Sequence, residues 1–248
     1  GLISGALFLT YMIYAYGNIY FPGMLQGFVF FGLAAIYVTT AFILIQKIGV
    51  EEMKSQEKYR NIFYALAALG VSLFSLSVAF VFANQIEIVA LIWILESSVL
   101  FYFAQKLASS RITLAALILY AIGVLRLLPF LDMQISGNYG LLVSAVLIAL
   151  SLMVNLFLIM RSKNSEGKDV FGTEVYAVHH FFHIIGVTAC SIFILSIFDI
   201  QDDWYLLLAV SLILAGLGYI YTLAKSPALQ KIHMIAYLGG LCIHIAMF

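Results

Sequence analysis

The chain has 248 residues and no net charge, and 64% of its residues are hydrophobic while only 10% are charged. Ordinary soluble domains carry about 25% charged residues. The composition, with a mean hydropathy of +1.08, therefore excludes an ordinary soluble domain and predicts a polytopic protein of the lipid bilayer. The two cysteines, Cys190 and Cys242, lie in apolar runs, which is typical of small packing residues rather than of a disulfide pair.

Nine stretches are long and apolar enough to cross a membrane, because a spanning helix needs about 20 apolar residues. They are residues 2–20, 24–47, 62–84, 86–107, 112–131, 139–160, 175–198, 204–224 and 232–248. This pattern predicts an all-α transmembrane bundle of about nine helices, built from repeated antiparallel hairpins. We expect residues 1–248 to form a single transmembrane domain. Because both ends lie inside apolar runs, we also expect the domain to be a fragment of a longer polytopic chain.

The basic residues predict the orientation, because 11 of the 12 lie at every second connection between spans. They are Lys47, Lys54, Lys58, Arg60, Lys106, Arg111, Arg161, Lys163, Lys168, Lys225 and Lys231. Basic loops tend to stay in the cytoplasm, so we expect these connections to be cytoplasmic, the N-terminal end inside and the C-terminal end outside. The stretch 47–61 mixes both charge signs and therefore predicts no nucleic-acid partner.

One spanning stretch, 86–107, carries the carboxylate of Glu96 near its middle. A charge at the bilayer centre costs about 2.5 to 3.5 kcal/mol on insertion scales, so it is rarely kept without a partner. Arg126 is the only Lys or Arg outside the loops and their edges, and Gly123, one turn away, would allow the two helices to approach closely. Three interpretations stay open. They are a structural ion pair, a polar cavity for an ion, lipid headgroup or small solute with Ser97 as a hydroxyl partner, and a protonated Glu96 with Arg126 extended to the interface.

Three histidines occur together in the segment VHHFFHIIG of the stretch 175–198. His179 and His183 are four residues apart and His180 and His183 are three apart, spacings that can bring two imidazoles to one metal ion. His233 is expected at a similar depth in the membrane to these three histidines. It completes the cluster if its helix touches theirs. A metal ion such as zinc is one interpretation. The simpler one has no cofactor and gives the histidines ordinary hydrogen bonds.

The segments ALIWILESSVLFYFAQKL and ITLAALILYAIGVLRLL, residues 90–128, resemble the bacterial predicted-membrane-protein family catalogued as domain of unknown function 2339. The resemblance rests on a W-x-x-E helix, a basic turn and a helix ending in Arg, here at Trp93, Glu96, Lys106, Arg111 and Arg126. It implies a multi-pass protein of the bacterial inner membrane with no established activity. It also implies that the chain is part of a larger one, and its W-x-x-E element adds Trp93 to the Glu96 and Arg126 site. The expected partners are the lipid bilayer and either other membrane subunits or the rest of the longer chain.

The segment HHFFHIIG also resembles the histidine-bearing helix of the zinc-dependent seven-helix membrane hydrolases, which include alkaline ceramidases, haemolysin III and the adiponectin-receptor type. The shared element is His-x3-His, here His179 and His183. That family has further Ser, His and Asp positions, and no Asp lies inside a predicted span of this chain. The resemblance implies a metal-dependent hydrolase that acts within the membrane.

Three functional hypotheses follow from these patterns. The first is a non-enzymatic integral membrane protein, either a scaffold or assembly subunit or a protein that binds lipid or a small solute near Glu96 and Arg126. It is favoured because the chain has no glycine-rich phosphate loop, no GxSxG and no paired catalytic carboxylates. The second is a metal-dependent intramembrane hydrolase that uses the histidines. The third is a transporter or channel with Glu96 as the ion or proton site.

Overall fold

The computed structural model describes most of the chain between residues 23 and 198 and scattered residues on either side. The described residues are 11, 23–49, 52, 55–107, 109–131, 137–160, 171–198, 211–213, 215–216, 218–219, 231, 233–235 and 238. They form helices and turns without any β-strand, so the all-α prediction is confirmed for this part of the chain. Five of the helices described there are long and apolar enough to cross a membrane. The chain is therefore a multi-pass integral membrane protein.

Six α-helices and one 3₁₀-helix have both ends within the described residues. The α-helices are α1 (Gly23–Ile48), α2 (Glu57–Val81), α3 (Ile86–Leu107), α4 (Ser110–Leu125), α5 (Gly140–Met160) and α6 (Thr173–Ile197). The 3₁₀-helix, η1, is Leu128–Leu131. All the α-helices except α4 have spanning length. At 16 residues, α4 is shorter than a bilayer requires.

The prediction of one unbroken spanning helix over 112–131 is wrong, and Pro129 explains the difference. α4 ends at Leu125, four residues before the proline. The Pro129 nitrogen has no hydrogen to donate to the Leu125 carbonyl, and its ring would clash with that carbonyl in a continued helix. The α conformation is also disfavoured at Leu128, directly before the proline. The apolar segment therefore continues as η1.

The other predicted spans within the described residues agree with the structure to within a few residues. The spans 24–47, 62–84, 86–107, 139–160 and 175–198 correspond to α1, α2, α3, α5 and α6. The predicted spans 2–20, 204–224 and 232–248 lie largely outside the described residues, although those of their residues that are described are helical. Nine helices and a repeated hairpin are therefore not confirmed.

The chain divides into two compact units, residues 1–85 and 86–248. In the first unit, α1 packs against α2. The buried residues form a seam with spacings of three, four and seven: Gly27, Phe30, Ala34 and Ala41 on α1, and Phe63, Leu66, Gly70, Leu73 and Ser77 on α2. Such spacing is typical of two helices that wrap around each other with a left-handed twist.

Two glycines let the helices of the first unit approach at backbone level. A Cβ atom on Gly27 would lie 3.0 Å from the Ser77 carbonyl oxygen, and one on Gly70 would lie 3.3 Å from the Val38 nitrogen. Small residues at such points allow the close packing by which helices associate in lipid. α1 and α2 therefore form a tightly packed helix pair.

In the second unit, four helices form a ring. α3 packs on α4 and α5, and α6 packs on α4, α5 and η1. As predicted, Gly123 allows close approach of α3 and α4, since a Cβ there would lie 3.3 Å from both the Ile94 nitrogen and the Trp93 Cβ. Each of the four helices therefore turns one face toward a common centre, which contains polar as well as apolar side chains.

Candidate functional site

Seven buried polar side chains meet at the centre of the four-helix ring, and we call them the histidine network. They are Ser97 and Ser98 on α3, Tyr120 on α4, Asn155 on α5, and His179, His180 and His183 on α6. Asn155 and the three histidines are 0% exposed. At about 1.5 Å per residue, Asn155 lies about 8 Å from the end of α5 at Met160, and His179 about 9 Å from the start of α6 at Thr173. The network is therefore inside the apolar layer of the bundle.

Asn155 connects α5 to α3. Its Nδ2 donates to the hydroxyl oxygens of Ser97, at 2.7 Å, and Ser98, at 2.9 Å. Both hydroxyls donate their own protons to the Ile94 carbonyl, at 2.7 and 3.1 Å, which is usual for serines in membrane helices. Because each serine proton is used on Ile94, each serine oxygen can only accept from Asn155. The amide is thereby oriented with its NH2 group toward α3 and its oxygen toward α6.

The orientation of Asn155 determines which nitrogen of His179 carries a hydrogen. Asn155 Oδ1 lies 2.7 Å from His179 Nε2, and since an amide oxygen can only accept, Nε2 donates. A neutral imidazole has a hydrogen on one nitrogen and a lone pair on the other, so the lone pair of a neutral His179 is on Nδ1. Every donor in this chain of bonds points toward the Ile94 carbonyl, and the opposite end is a lone pair. That lone pair accepts a hydrogen bond from Nδ1 of His180 at 3.4 Å.

Aromatic rings enclose His179. Its ring stacks on Tyr120 with 4.5 Å between centroids and 12° between planes, and Phe101 meets it edge-on at 5.6 Å. Phe101 also contacts Phe171, which contacts Tyr176. Because Phe171 lies just before α6, these rings cover the network at the end of the bundle where α6 begins. Exclusion of water there strengthens the hydrogen bonds inside.

His183 is held by Tyr120 through one nitrogen only. Tyr120 Oη lies 2.7 Å from His183 Nδ1, and the His183 ring lies nearly parallel to that of His179, with 5.8 Å between centroids. His183 Nε2 is buried and has no hydrogen-bond partner among the described residues. A buried polar atom without a partner costs about 1 to 3 kcal/mol, and each such atom in a native structure requires an explanation, such as a bound ion or water.

His233 approaches the network from the C-terminal part of the same unit. A Cβ atom on Gly218 would lie 2.6 Å from His233 Nε2, so the imidazole rests on the Gly218 backbone. His233 and His183 are both within electrostatic range of His180. The completion of the α6 histidine cluster by His233 stays a prediction.

The structure places the predicted metal ligands in one region but does not arrange them as a metal site. Those residues are His179, His180, His183 and His233. Among the residues that the structure describes, no three His, Cys, Asp or Glu side chains are arranged to hold a metal ion as they stand. Asn155 occupies one nitrogen of His179 and Tyr120 one nitrogen of His183. The metal role of these histidines stays a prediction.

The residues predicted to surround the Glu96 and Arg126 pair have different surroundings from one another in the structure. Ser97 belongs to the histidine network, and Trp93 packs against Gly123. Glu96 is half-buried and takes part in an interaction of its own. Arg126 is exposed at the C-cap of α4, where the helix dipole favours a cation. The pairing of Glu96 with Arg126 stays a prediction.

Sequence reasoning missed Asn155 and Tyr120. Both lie on buried seams with spacings of three and four residues: Ala145, Ile148, Leu152, Asn155 and Ile159 on α5, and Thr113, Ala116, Tyr120 and Gly123 on α4. Each is a polar residue at a position of the buried seam, and this pattern in the sequence could have identified them. The signal is weak because α5 is apolar on its lipid-facing side as well, which hides the seam.

No family model, no curated protein and no solved structure matches this chain. Its function must therefore be inferred from the geometry of the histidine network.

Proposed function

We propose that this chain is a non-enzymatic integral membrane protein that binds a small polar solute or an ion at the histidine network. The observation that carries the proposal is His183 Nε2, a buried ring nitrogen with no hydrogen-bond partner among the described residues. The sequence favoured a binding site near Glu96 and Arg126. The network begins one residue from Glu96, at Ser97, and reaches α6 through Asn155.

Part of the histidine network has a structural role that requires no ligand. The hydroxyls of Ser97 and Ser98 and the amide of Asn155 satisfy one another, and a buried polar residue on a helix seam fixes the register of its neighbours. His183 Nε2 has no such explanation, because an unsatisfied nitrogen in an apolar bundle only reduces stability. Ionisable residues retained inside a membrane bundle commonly line ion or solute sites. The histidine end of the network is therefore the end that supports binding.

A thermal-unfolding screen of the purified protein in detergent tests this proposal. The panel is Zn²⁺, Mg²⁺ and K⁺ chlorides, ammonium chloride, glycine and sodium phosphate. A ligand that binds only the folded state stabilises it by RT ln(1 + [L]/Kd), which is about 2.7 kcal/mol at 100 times Kd. We expect at least one member of the panel to raise the Tm of the wild-type protein, and we expect His183→Leu to abolish that increase.

Ser191→Ala is the matched control. Ser191 lies on α6, and its hydroxyl donates to the Val187 carbonyl of the same helix at 2.7 Å. This variant should keep the ligand-dependent increase in Tm. The proposal is contradicted if no member of the panel raises the wild-type Tm, or if His183→Leu shows the same increase as the wild type.

We further propose that the protein lies in a bacterial inner membrane with its basic loops in the cytoplasm, its N-terminal end inside and its C-terminal end outside. The distribution of basic residues supports this orientation, and the resemblance of residues 90–128 to the domain of unknown function 2339 family supports the bacterial location. The test introduces Ser55→Cys or Asn138→Cys, both at exposed positions in connections, into a chain without its native cysteines.

A membrane-impermeant thiol reagent should label Asn138→Cys in intact bacterial cells and Ser55→Cys only after the cells are permeabilised. The cysteine-free chain is the control for background labelling. The reverse pattern would show that the orientation is inverted, and labelling of both positions in intact cells would also contradict the proposal.

A further inference from the structure

We propose that the histidine network binds a divalent transition-metal cation of the zinc type, with Nδ1 of His179 and Nδ1 of His180 as the first two ligands and His183 as the third. This inference rests on the proposed function, because it names the class of ion for the same site. It also gives Asn155 and Tyr120 a role, since they orient two of the three rings.

The hydrogen-bond direction prepares His179 as a metal ligand. A metal-bound histidine usually donates its other ring N–H to an oxygen acceptor, which fixes the ring and leaves a lone pair for the metal. His179 donates from Nε2 to Asn155 Oδ1 at 2.7 Å, so its Nδ1 offers the lone pair. A neutral lone pair attracts a cation and repels an anion, which excludes phosphate and similar ligands from this position.

The spacing between the first two nitrogens suits a shared cation. Nδ1 of His179 and Nδ1 of His180 are 3.4 Å apart and share one proton, which His180 donates to the His179 lone pair. A metal cation can take the place of such a proton between two imidazole nitrogens. Two nitrogens bound to one tetrahedral zinc ion at about 2.0 to 2.1 Å lie about 3.3 to 3.4 Å from each other. A zinc ion that replaced the shared proton would therefore hold the two nitrogens at the separation that they already have.

His183 is placed to complete the site by a movement of its ring. As they stand, no three such side chains among the described residues converge on a metal position, so a third ligand must turn toward the pair. His183 lies on the same helix face as His180, three residues on, and its buried Nε2 has no hydrogen-bond partner among the described residues. His233 is within electrostatic range of His180, and it or a water molecule would take the fourth position.

The ligand atoms determine the class of metal. Imidazole nitrogens suit zinc, copper, nickel and cobalt ions. Magnesium and calcium take oxygen ligands, and the amide oxygen of Asn155 is already used by His179. Among these ions we take Co²⁺ as the probe, because tetrahedral nitrogen-bound Co²⁺ absorbs visible light far more strongly than the hydrated ion.

The experiment uses the full chain, purified in detergent, stripped with a chelator and titrated with cobalt chloride. We expect one Co²⁺ per chain with a tetrahedral absorption spectrum, displaced by Zn²⁺ and not by the same concentration of Mg²⁺. His180→Gln should weaken Co²⁺ binding at least about 100-fold. Ser191→Ala on the same helix is the control and should bind Co²⁺ as the wild type does.

Asn155→Asp separates a metal role from a structural role. A carboxylate accepts the His179 N–H as the amide does and increases the basicity of the ring, so Co²⁺ should bind as tightly as in the wild type or more tightly. Asn155→Ala should weaken binding about 10- to 100-fold. A network with only a structural role would change Co²⁺ affinity in neither variant.

Two results would overturn the metal proposal: no tetrahedral Co²⁺ spectrum in the wild type, or equal Co²⁺ affinity in the wild type and His180→Gln. The thermal-unfolding screen distinguishes this failure from that of the proposed function. If Co²⁺ does not bind, stabilisation by ammonium or glycine that His183→Leu abolishes would keep the solute site without the metal. Absence of stabilisation by every member of the panel would remove both proposals.

Discussion

The two units of the molecule hold their helices together in different ways. In the first unit, α1 and α2 touch at backbone level through Gly27 and Gly70. In the second unit, Gly123 brings α3 and α4 together, and the histidine network adds hydrogen bonds between helices. Lipid is as apolar as the helix surfaces, so no hydrophobic force drives membrane helices together. Close packing at glycines therefore contributes to association in both units, and the histidine network contributes further in the second.

The largest effect is expected where the close packing of the first unit is broken. Gly27→Leu should reduce the free energy of unfolding of this unit by about 3 kcal/mol. The added side chain would meet backbone atoms, the Ser77 oxygen at 3.0 Å and the Val81 nitrogen at 3.1 Å, which cannot move aside. The measurement is an SDS titration in mixed micelles, followed by energy transfer between probes on α1 and α2.

Gly32→Leu is the control for this substitution. Gly32 lies on α1, and a Cβ there would have no atom within 4 Å. The same change should therefore be neutral or slightly stabilising, because leucine favours the helix more than glycine does. Equal destabilisation by Gly27→Leu and Gly32→Leu would show that the glycine contact is not what holds this unit.

The next effect tests the polar contacts of the second unit. Asn155→Leu should cost about 2 kcal/mol. It removes bonds to two serines and His179, each worth about 0.6 kcal/mol on average in a membrane protein. The free energy of unfolding is measured by SDS titration with Trp93 fluorescence in a Trp204→Phe background.

Ser151→Ala is the matched control on α5. Its hydroxyl donates to the Ile148 carbonyl of its own helix at 2.7 Å, so its removal should cost less than about 0.5 kcal/mol. If Asn155→Leu costs no more than Ser151→Ala, the hydrogen bonds of Asn155 do not stabilise the second unit.

A smaller effect is expected at the glycine contact of the second unit. Gly123→Ala should cost about 1 to 2 kcal/mol, because its Cβ would lie 3.0 Å from the flexible Ile94 Cγ1 and 3.3 Å from the Ile94 nitrogen. The contact also involves Trp93, so its fluorescence should change with the substitution. Gly216→Ala, where a Cβ meets nothing within 4 Å, should leave both stability and fluorescence unchanged.

The smallest effects are expected for the single serine variants. Ser97→Ala and Ser98→Ala should each cost about 0.5 kcal/mol, since the Asn155 amide keeps one serine and can use the Ile94 carbonyl at 3.4 Å. The double variant should lose more stability than the two single variants together, because both amide hydrogens of Asn155 then share the Ile94 carbonyl. A double-mutant cycle measures this coupling, and simple additivity would show that the two serines are independent.

Much of the fold could be predicted from the sequence. The bounds of α3 and α5 follow from the length of uninterrupted apolar sequence, which a spanning helix requires because no water is present to satisfy its backbone. The predicted end of α4 was wrong because the effect of Pro129 on the helix extends back four residues, to Leu125. Part of the site could also be predicted, since the spacing of His179 and His183 places them on one helix face.

The partners of those histidines could not be predicted. Asn155 and Tyr120 lie far from them in sequence, and the sequence pointed instead to Glu96 and Arg126 because charges are the most visible polar groups in an apolar chain. In the structure, Arg126 is exposed at the end of α4, while a neutral amide and a phenol reach the histidines. Uncharged polar side chains carry no comparable signal in the sequence.

The sequence by itself determined the helical class, the positions of five spans and the histidine spacing, because each depends on the local length and order of residues. Only the tertiary structure decided which helices touch and which faces meet at the centre of the ring. In a soluble protein, the contrast between polar and apolar faces would reveal the inner face of each helix. Here the lipid-facing and inward-facing surfaces are both apolar, so the inner face is determined by close packing and by a few hydrogen bonds between residues distant in the chain.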